Sequence, residues 1–199
     1  MKNSKGKSFI IVGLLLFAAA LALISYNVYD ANRAEKASDA VMKILTSQVE
    51  KNMETTEQDY ISYPNMEMPT VLINGERYIG YVEIPDLNIK LPVANECNLT
   101  KLKTSPCLYS GSVYLDNMVI AAHNCSKHFG KLKNLPIGSK IIFTDAAGNV
   151  FEYEIGWVET LEDNDKEGMI SAEDWDLTLF TCTYGGEKRY AFRCLKTEK

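Results

Sequence analysis

After a short basic start, the chain runs for about twenty residues without a charge, SFIIVGLLLFAAALALISYNVY. A run of that length crosses a hydrocarbon core of ~30 Å as an α-helix. The next pattern is different. From Asp30 to about Gln58 there is no glycine or proline, and Val41, Ile44, Leu45 and Val49 recur at helical spacing, which predicts an amphipathic stalk helix. YPNMEMP, with its two prolines, ends that helix and marks the start of a further unit.

From residue 70 the period shortens to that of strands separated by turns. YIGYVEIPDLNIKLPV reads as two strands about a Pro-Asp turn, and SGSVYLDNMVIAAH as two more about Asp116-Asn117. HFGKLKNLPIG allows one short helix. KIIFTDAAGNVFEYEIGWVET reads as a hairpin, with Phe151, Tyr153, Ile155 and Trp157 on one face and Glu152 and Glu154 on the other. LTLFTCTYGGEKRYAFRCL reads as a last hairpin. About eight strands with short helices predict a mainly β fold, a closed eight-stranded barrel that hides its sheet edges. The expected organisation is a cytoplasmic basic stub and transmembrane anchor over 1–29, a helical stalk over 30–69 and the barrel over 70–199.

Charge refines this picture. Lys2, Lys5 and Lys7 flank the apolar run on one side and Asp30 on the other, which orients the anchor N-terminus in, with the rest of the chain outside the cell membrane. ISYNVYDANRAEKA has no small-x-small cleavage site, so an uncleaved single-pass anchor is expected rather than a signal peptide. Without those three lysines the chain holds 18 basic against 26 acidic residues, a balance of −8. Such a body is unsuited to neutralising phosphates, which argues against a nucleic-acid partner.

Five cysteines, Cys97, Cys107, Cys125, Cys182 and Cys194, are an odd number, so at least one thiol stays unpaired within the chain. No CxxC pair occurs, and the pairing of the rest stays open. A nucleophilic cysteine needs a base or cation that favours its thiolate. Of the two histidines, His123 ends the apolar strand MVIAAH, whereas His128 falls on an expected surface turn; His123 is the better partner by position. Cys182 ends one strand of the last hairpin and Arg189 opens the next. Adjacent strands lie ~4.8 Å apart and Arg193 is roughly 13 Å further on, so Arg189 is the arginine within reach of the thiol. Its guanidinium suits the stabilisation of an oxyanion.

TLFTCTYGGEKRYAFRC resembles the TLxTC signature and arginine strand of the sortases, the cysteine transpeptidases of the Gram-positive surface. VIAAHN is similar to that family's histidine segment, and YIGYVEIPDLNIKLPV to its opening strands, so the resemblance spans about residues 75 to 196. It implies an eight-stranded barrel with Cys182 as nucleophile, His123 as acid/base, Arg189 as holder of substrate and oxyanion, and Thr181 as a substrate-positioning residue. The implied partners are surface proteins bearing an LPxTG-like sorting signal and an amine of a peptidoglycan precursor or cross-bridge. The type stays open: HN followed by FGKL, with TCTY, resembles the B type, but TLEDNDKEGMISAEDWD is short before the cysteine strand, as in the A or D types. No pilus-type lid motif is present. Ala122 stands where many relatives place glycine.

No cofactor is expected. Glu162, Asp163, Asp165 and Glu167 offer hard oxygen ligands for calcium, but their spacing is not that of an EF-hand loop. His123, Cys125 and His128 make a poor zinc site that would consume the acid/base histidine. The alternatives to a transpeptidase are an inactive anchored barrel that only binds a ligand and a thiol hydrolase that releases peptides without transfer.

Overall fold

A computed structural model describes residues 4–53, 59–171 and 174–197. Residues 1–3 of the basic stub and 54–58 of the expected stalk lie outside the described residues. Nine strands, β1 (Val71–Ile73), β2 (Glu76–Ile84), β3 (Ile89–Ala94), β4 (Cys107–Ser110), β5 (Met118–Ala121), β6 (Lys140–Asp145), β7 (Val150–Glu162), β8 (Leu177–Cys182) and β9 (Lys188–Lys196), form one sheet in the order β1-β2-β3-β4-β5-β8-β9-β7-β6. Because β2 pairs again with β6, strands β2 to β9 close into an eight-stranded barrel. β1 occupies the other part of the same β2 edge, from Val71↔Tyr78 to Ile73↔Glu76. Closure depends on Gly80, at φ +146°, where a Cβ would stand 2.0 Å from the Thr144 carbonyl oxygen.

Both faces of the wall are covered, so β5 and β8 do not alternate: all four residues of MVIA and the first five of LTLFTC are buried. Inside, Ile79, Val82, Phe143, Tyr153, Leu179 and Phe192 belong to one apolar cluster. Outside, Val71, Ala121, Phe180 and Ala191 belong to another, together with Met42, Leu45 and Val49 of the N-terminal helix.

That helix, α1 (Ser4–Met53), is a single 50-residue element running through both the expected anchor and the expected stalk. Its first part is exposed and is long and apolar enough to cross a membrane. From Ala31 a seam of Ala31, Ala34, Ser38, Met42, Leu45 and Val49 is buried at steps of three and four. Ile44 points away at 41% exposure, because the barrel contact, not hydrophobicity alone, sets which face turns in. The Ser38 hydroxyl donates to the Thr104 carbonyl (2.9 Å), Lys127 pairs with Glu35 (2.6 Å) and Asn52 Nδ2 donates to the Ala146 carbonyl (2.8 Å).

Three local expectations are corrected. β4 begins at Cys107, and Val113–Leu115 is a 3₁₀ turn rather than strand, capped by the Ser112 hydroxyl accepting from the Tyr114 N–H. A register shift between Ile155 and Trp157 reverses the alternation of β7, so Trp157 leaves the inward row and meets Trp175 edge to face with ring centroids 5.4 Å apart. His128 is fully buried rather than on a surface turn, because α1 passes over it with Ser38 Oγ 3.5 Å from its Nε2.

Candidate active site

β5 and β8 are adjacent parallel strands in the register Ala121↔Phe180, and both chains leave the sheet at the same end. Two residues past that pair come His123 and Cys182. β9 returns antiparallel with Cys182↔Arg189 as direct partners. Three neighbouring strands thus bring the expected histidine, cysteine and arginine to one rim. The return is made by Thr183–Glu187, where Gly185 (φ +88°) and Gly186 (φ +80°) adopt the left-handed conformation that side chains disfavour.

Two depressions meet at this rim, and among the described residues Cys182 is the one that lines both. The first, a cleft of about 750 Å³, is bordered by His123, the Thr183–Gly186 turn, the segment after His123 and Asn27, Val28, Ala31 and Asn32 of α1. The second, a groove of about 280 Å³, has an apolar wall of Leu99, Leu102, Tyr109, Met169 and Phe180 and holds Arg189. At rest Arg189 Nη1 donates to the carbonyls of Gly186 (2.7 Å) and Lys188 (3.0 Å), which folds its fork onto the turn beside Cys182.

His123 is 39% exposed, and its Nε2 lies 3.6 Å from Asp30 Oδ2 of α1. Sequence reasoning used Asp30 only as the outer flank of the anchor. Local pattern does not show that α1 passes the barrel rim at His123. Thr181 is 2% exposed and its hydroxyl donates to the Ala122 carbonyl at 2.8 Å, joining β8 to the residue before His123. Any influence of Thr181 on a substrate therefore passes through the backbone it positions.

The remaining cysteines are distinct from Cys182. Cys97 and Cys107 form a disulfide that ties the groove segment around α2 (Leu99–Leu102) to β4. Cys194 is buried in the barrel interior, which pushes its thiol well above the usual range, and burial also raises the Cys125 thiol. Of the three free cysteines, only Cys182 faces a guanidinium across a strand pair.

Arg193, four residues beyond Arg189, is 1% exposed. Its Nε donates to Glu159 (2.5 Å), Nη1 to the Thr178 hydroxyl (2.8 Å) and Nη2 to the Gly168 carbonyl (2.6 Å) at α3 (Lys166–Ile170). Its guanidinium also lies over Trp175, 4.2 Å from the ring centroid. It clamps the segment before β8 to the outside of the barrel.

Among the described residues, no group of three or more His, Cys, Asp and Glu is arranged to hold a metal ion. In the acidic loop, Asp165 is engaged in capping α3 through the Gly168 N–H (2.9 Å), and Glu162 pairs with Lys188 (2.7 Å).

The fold is shared with cysteine transpeptidases. Solved structures of similar fold include a sortase C of Streptococcus pneumoniae, with a TM-score of 0.61 and 19% identity over 79% of this chain and 97% of that one. A sortase D5 transpeptidase of Clostridium perfringens gives a TM-score of 0.61 and 19% identity, covering 80% and 99%. The family model for the sortase domain matches residues 82–197, more than half of the chain, and the protein belongs to the sortase family. Sortase A of Bacillus anthracis is 28% identical over 203 residues, covering 94% of this chain and 93% of that protein. Sortase A of Listeria monocytogenes serovar 1/2a is 24% identical over 184 residues, covering 81% and 79%. The activity that goes with the family is cysteine transpeptidation.

Proposed function

We propose that the protein is a membrane-anchored cysteine transpeptidase that cleaves an LPxTG-like sorting signal through a thioester on Cys182 and joins the released protein to a cell-wall amine. The supporting observation is that Cys182, alone among the described residues, lines both depressions, one holding Arg189 and the other His123. This arrangement suits a reaction in two acyl transfers, with a donor seated on one side of the nucleophile and an acceptor arriving from the other.

The signal lies in the groove, its leucine and proline against the apolar wall. The Cys182 thiolate attacks the threonine carbonyl carbon, and the oxyanion that develops is held by the Arg189 guanidinium, which turns from the carbonyls of its own turn. His123 donates a proton to the departing amine and the C–N bond breaks, leaving a thioester. An incoming amine in the His123 cleft gives its proton back to the imidazole as it attacks the thioester, and the thiolate leaves. Thr181 acts by fixing Cys182 relative to the His123 segment.

In this reading the apolar part of α1 spans the cell membrane with its N-terminus inside, and the catalytic barrel is extracellular. The partners are surface proteins carrying the signal, with a peptidoglycan precursor or cross-bridge as acceptor; no cofactor takes part. The test is incubation with a quenched LPxTG-type peptide library with and without an amine acceptor. An amide product supports transfer; cleavage that never yields one favours a thiol hydrolase, and no turnover with no thioester favours a binding barrel.

A further inference from the structure

The apolar run from Ser8 to Tyr29 rises about 33 Å as a helix, slightly more than a hydrocarbon core of ~30 Å. Its outer end, with Tyr26 and Tyr29 65% and 67% exposed, therefore stands at the lipid headgroups, where such rings concentrate. Asn27 and Val28 belong to this level, and both line the cleft that holds His123 and Cys182. α1 is unbroken there and is buried on the barrel from Ala31 onward, so the cleft is carried at a set height above the anchor.

The same cleft is also lined by Lys131, Lys133 and Tyr184. Tyr184, at the tip of the β8–β9 turn, is 87% exposed, and Lys133 Nζ lies 5.2 Å from its ring centroid. Both lysines are exposed, and neither makes an ion pair among the described residues. An exposed aromatic tip flanked by cations, level with the end of a membrane span, has the composition of a surface that rests in phospholipid headgroups.

We infer that Tyr184, Lys131 and Lys133 form a membrane-docking rim that seats the catalytic cleft on the headgroups of the bilayer holding α1. The occupant is the phospholipid surface itself, chosen because the rim continues the anchor and its charge complements phosphate. The inference rests on the anchored reading of α1. It makes the β8–β9 turn both the element that returns Arg189 to Cys182 and the contact with the membrane.

The test uses the full chain in vesicles of phosphatidylcholine and phosphatidylglycerol, with and without lipids brominated near the top of the acyl chains. Tyr184→Trp adds one indole to the parent's Trp157 and Trp175, and the difference in emission from the parent isolates it. Interfacial burial of ~5–10 Å predicts that the brominated lipids roughly halve the added emission, and that Lys131→Glu with Lys133→Glu relieves this quenching. Phe17→Trp, in the middle of the span and read with lipids brominated near the ends of the acyl chains, is the control for the anchor. Unquenched added emission from Tyr184→Trp while Phe17→Trp is quenched overturns the docking rim alone. Loss of quenching in both overturns the anchored reading and the rim with it.

Discussion

Arg189 stands directly across the β8–β9 ladder from Cys182, whereas Arg193, on the same strand, is buried with its guanidinium held by Glu159, Thr178 and the Gly168 carbonyl. The two arginines therefore fail in different ways. Arg189→Ala is expected to lower kcat/KM for signal peptides by about 10²–10³-fold, the usual cost of an oxyanion donor. Its melting temperature should stay near that of the parent, since the side chain bonds only carbonyls of its own turn. Peptide cleavage kinetics beside thermal melts check both parts.

Arg193→Ala is expected to cost about 3 kcal/mol of stability, because it leaves Glu159 without its cation and two buried oxygens, the Thr178 hydroxyl and the Met169 carbonyl, without their donor. Urea unfolding measures the loss. The fraction that remains folded should keep most of its turnover, in contrast to Arg189→Ala.

His128 makes stability depend on pH. Burial lowers its pKa to about 4, with the charge on His123 a smaller contributor in the same direction. The unfolded chain takes up this proton near pH 6.5 and the folded protein only near 4. The stability contribution is therefore complete above about 6.5 and is lost as pH falls from there to about 4, amounting to about 3 kcal/mol. Urea midpoints compared across that range should fall in the parent and flatten in His128→Leu. His128→Ala is expected to lose stability while its turnover stays close to the parent's. His123→Ala is expected to lose turnover and keep its stability.

The contrast between the two histidines shows what the sequence could carry. MVIAAH and TLFTC place their last residues at strand ends, and the six residues between Cys182 and Arg189 fit a tight return, so the meeting of these three residues at one rim was legible from local pattern, while the roles expected of them came from the family resemblance. His128 was not, because its burial comes from α1, ninety residues earlier in the chain, crossing over it. Asp30 reaches His123 for the same long-range reason. Trp157 was misplaced by one register shift, which a period-two pattern cannot register. The disulfide was likewise outside local reading, since β3 and β4 meet by a single parallel pair, Ala94↔Cys107, that no periodicity announces.

Reduction of the Cys97–Cys107 disulfide opens a loop of sequence separation 10 and is expected to lower stability by about 3 kcal/mol by chain entropy. Because Cys97, Asn98 and Leu99 border the groove, KM for the signal peptide should rise more than kcat falls. Cys97→Ser with Cys107→Ser should reproduce both effects in the absence of reductant.

The most direct measurement is intact-protein mass spectrometry after incubation with an LPxTG-type peptide and no amine. The expected result is an acyl adduct on Cys182 that disappears when an amine is added and never forms in Cys182→Ala. An adduct or peptide cleavage that persists in Cys182→Ala would contradict the assignment of Cys182 as the nucleophile.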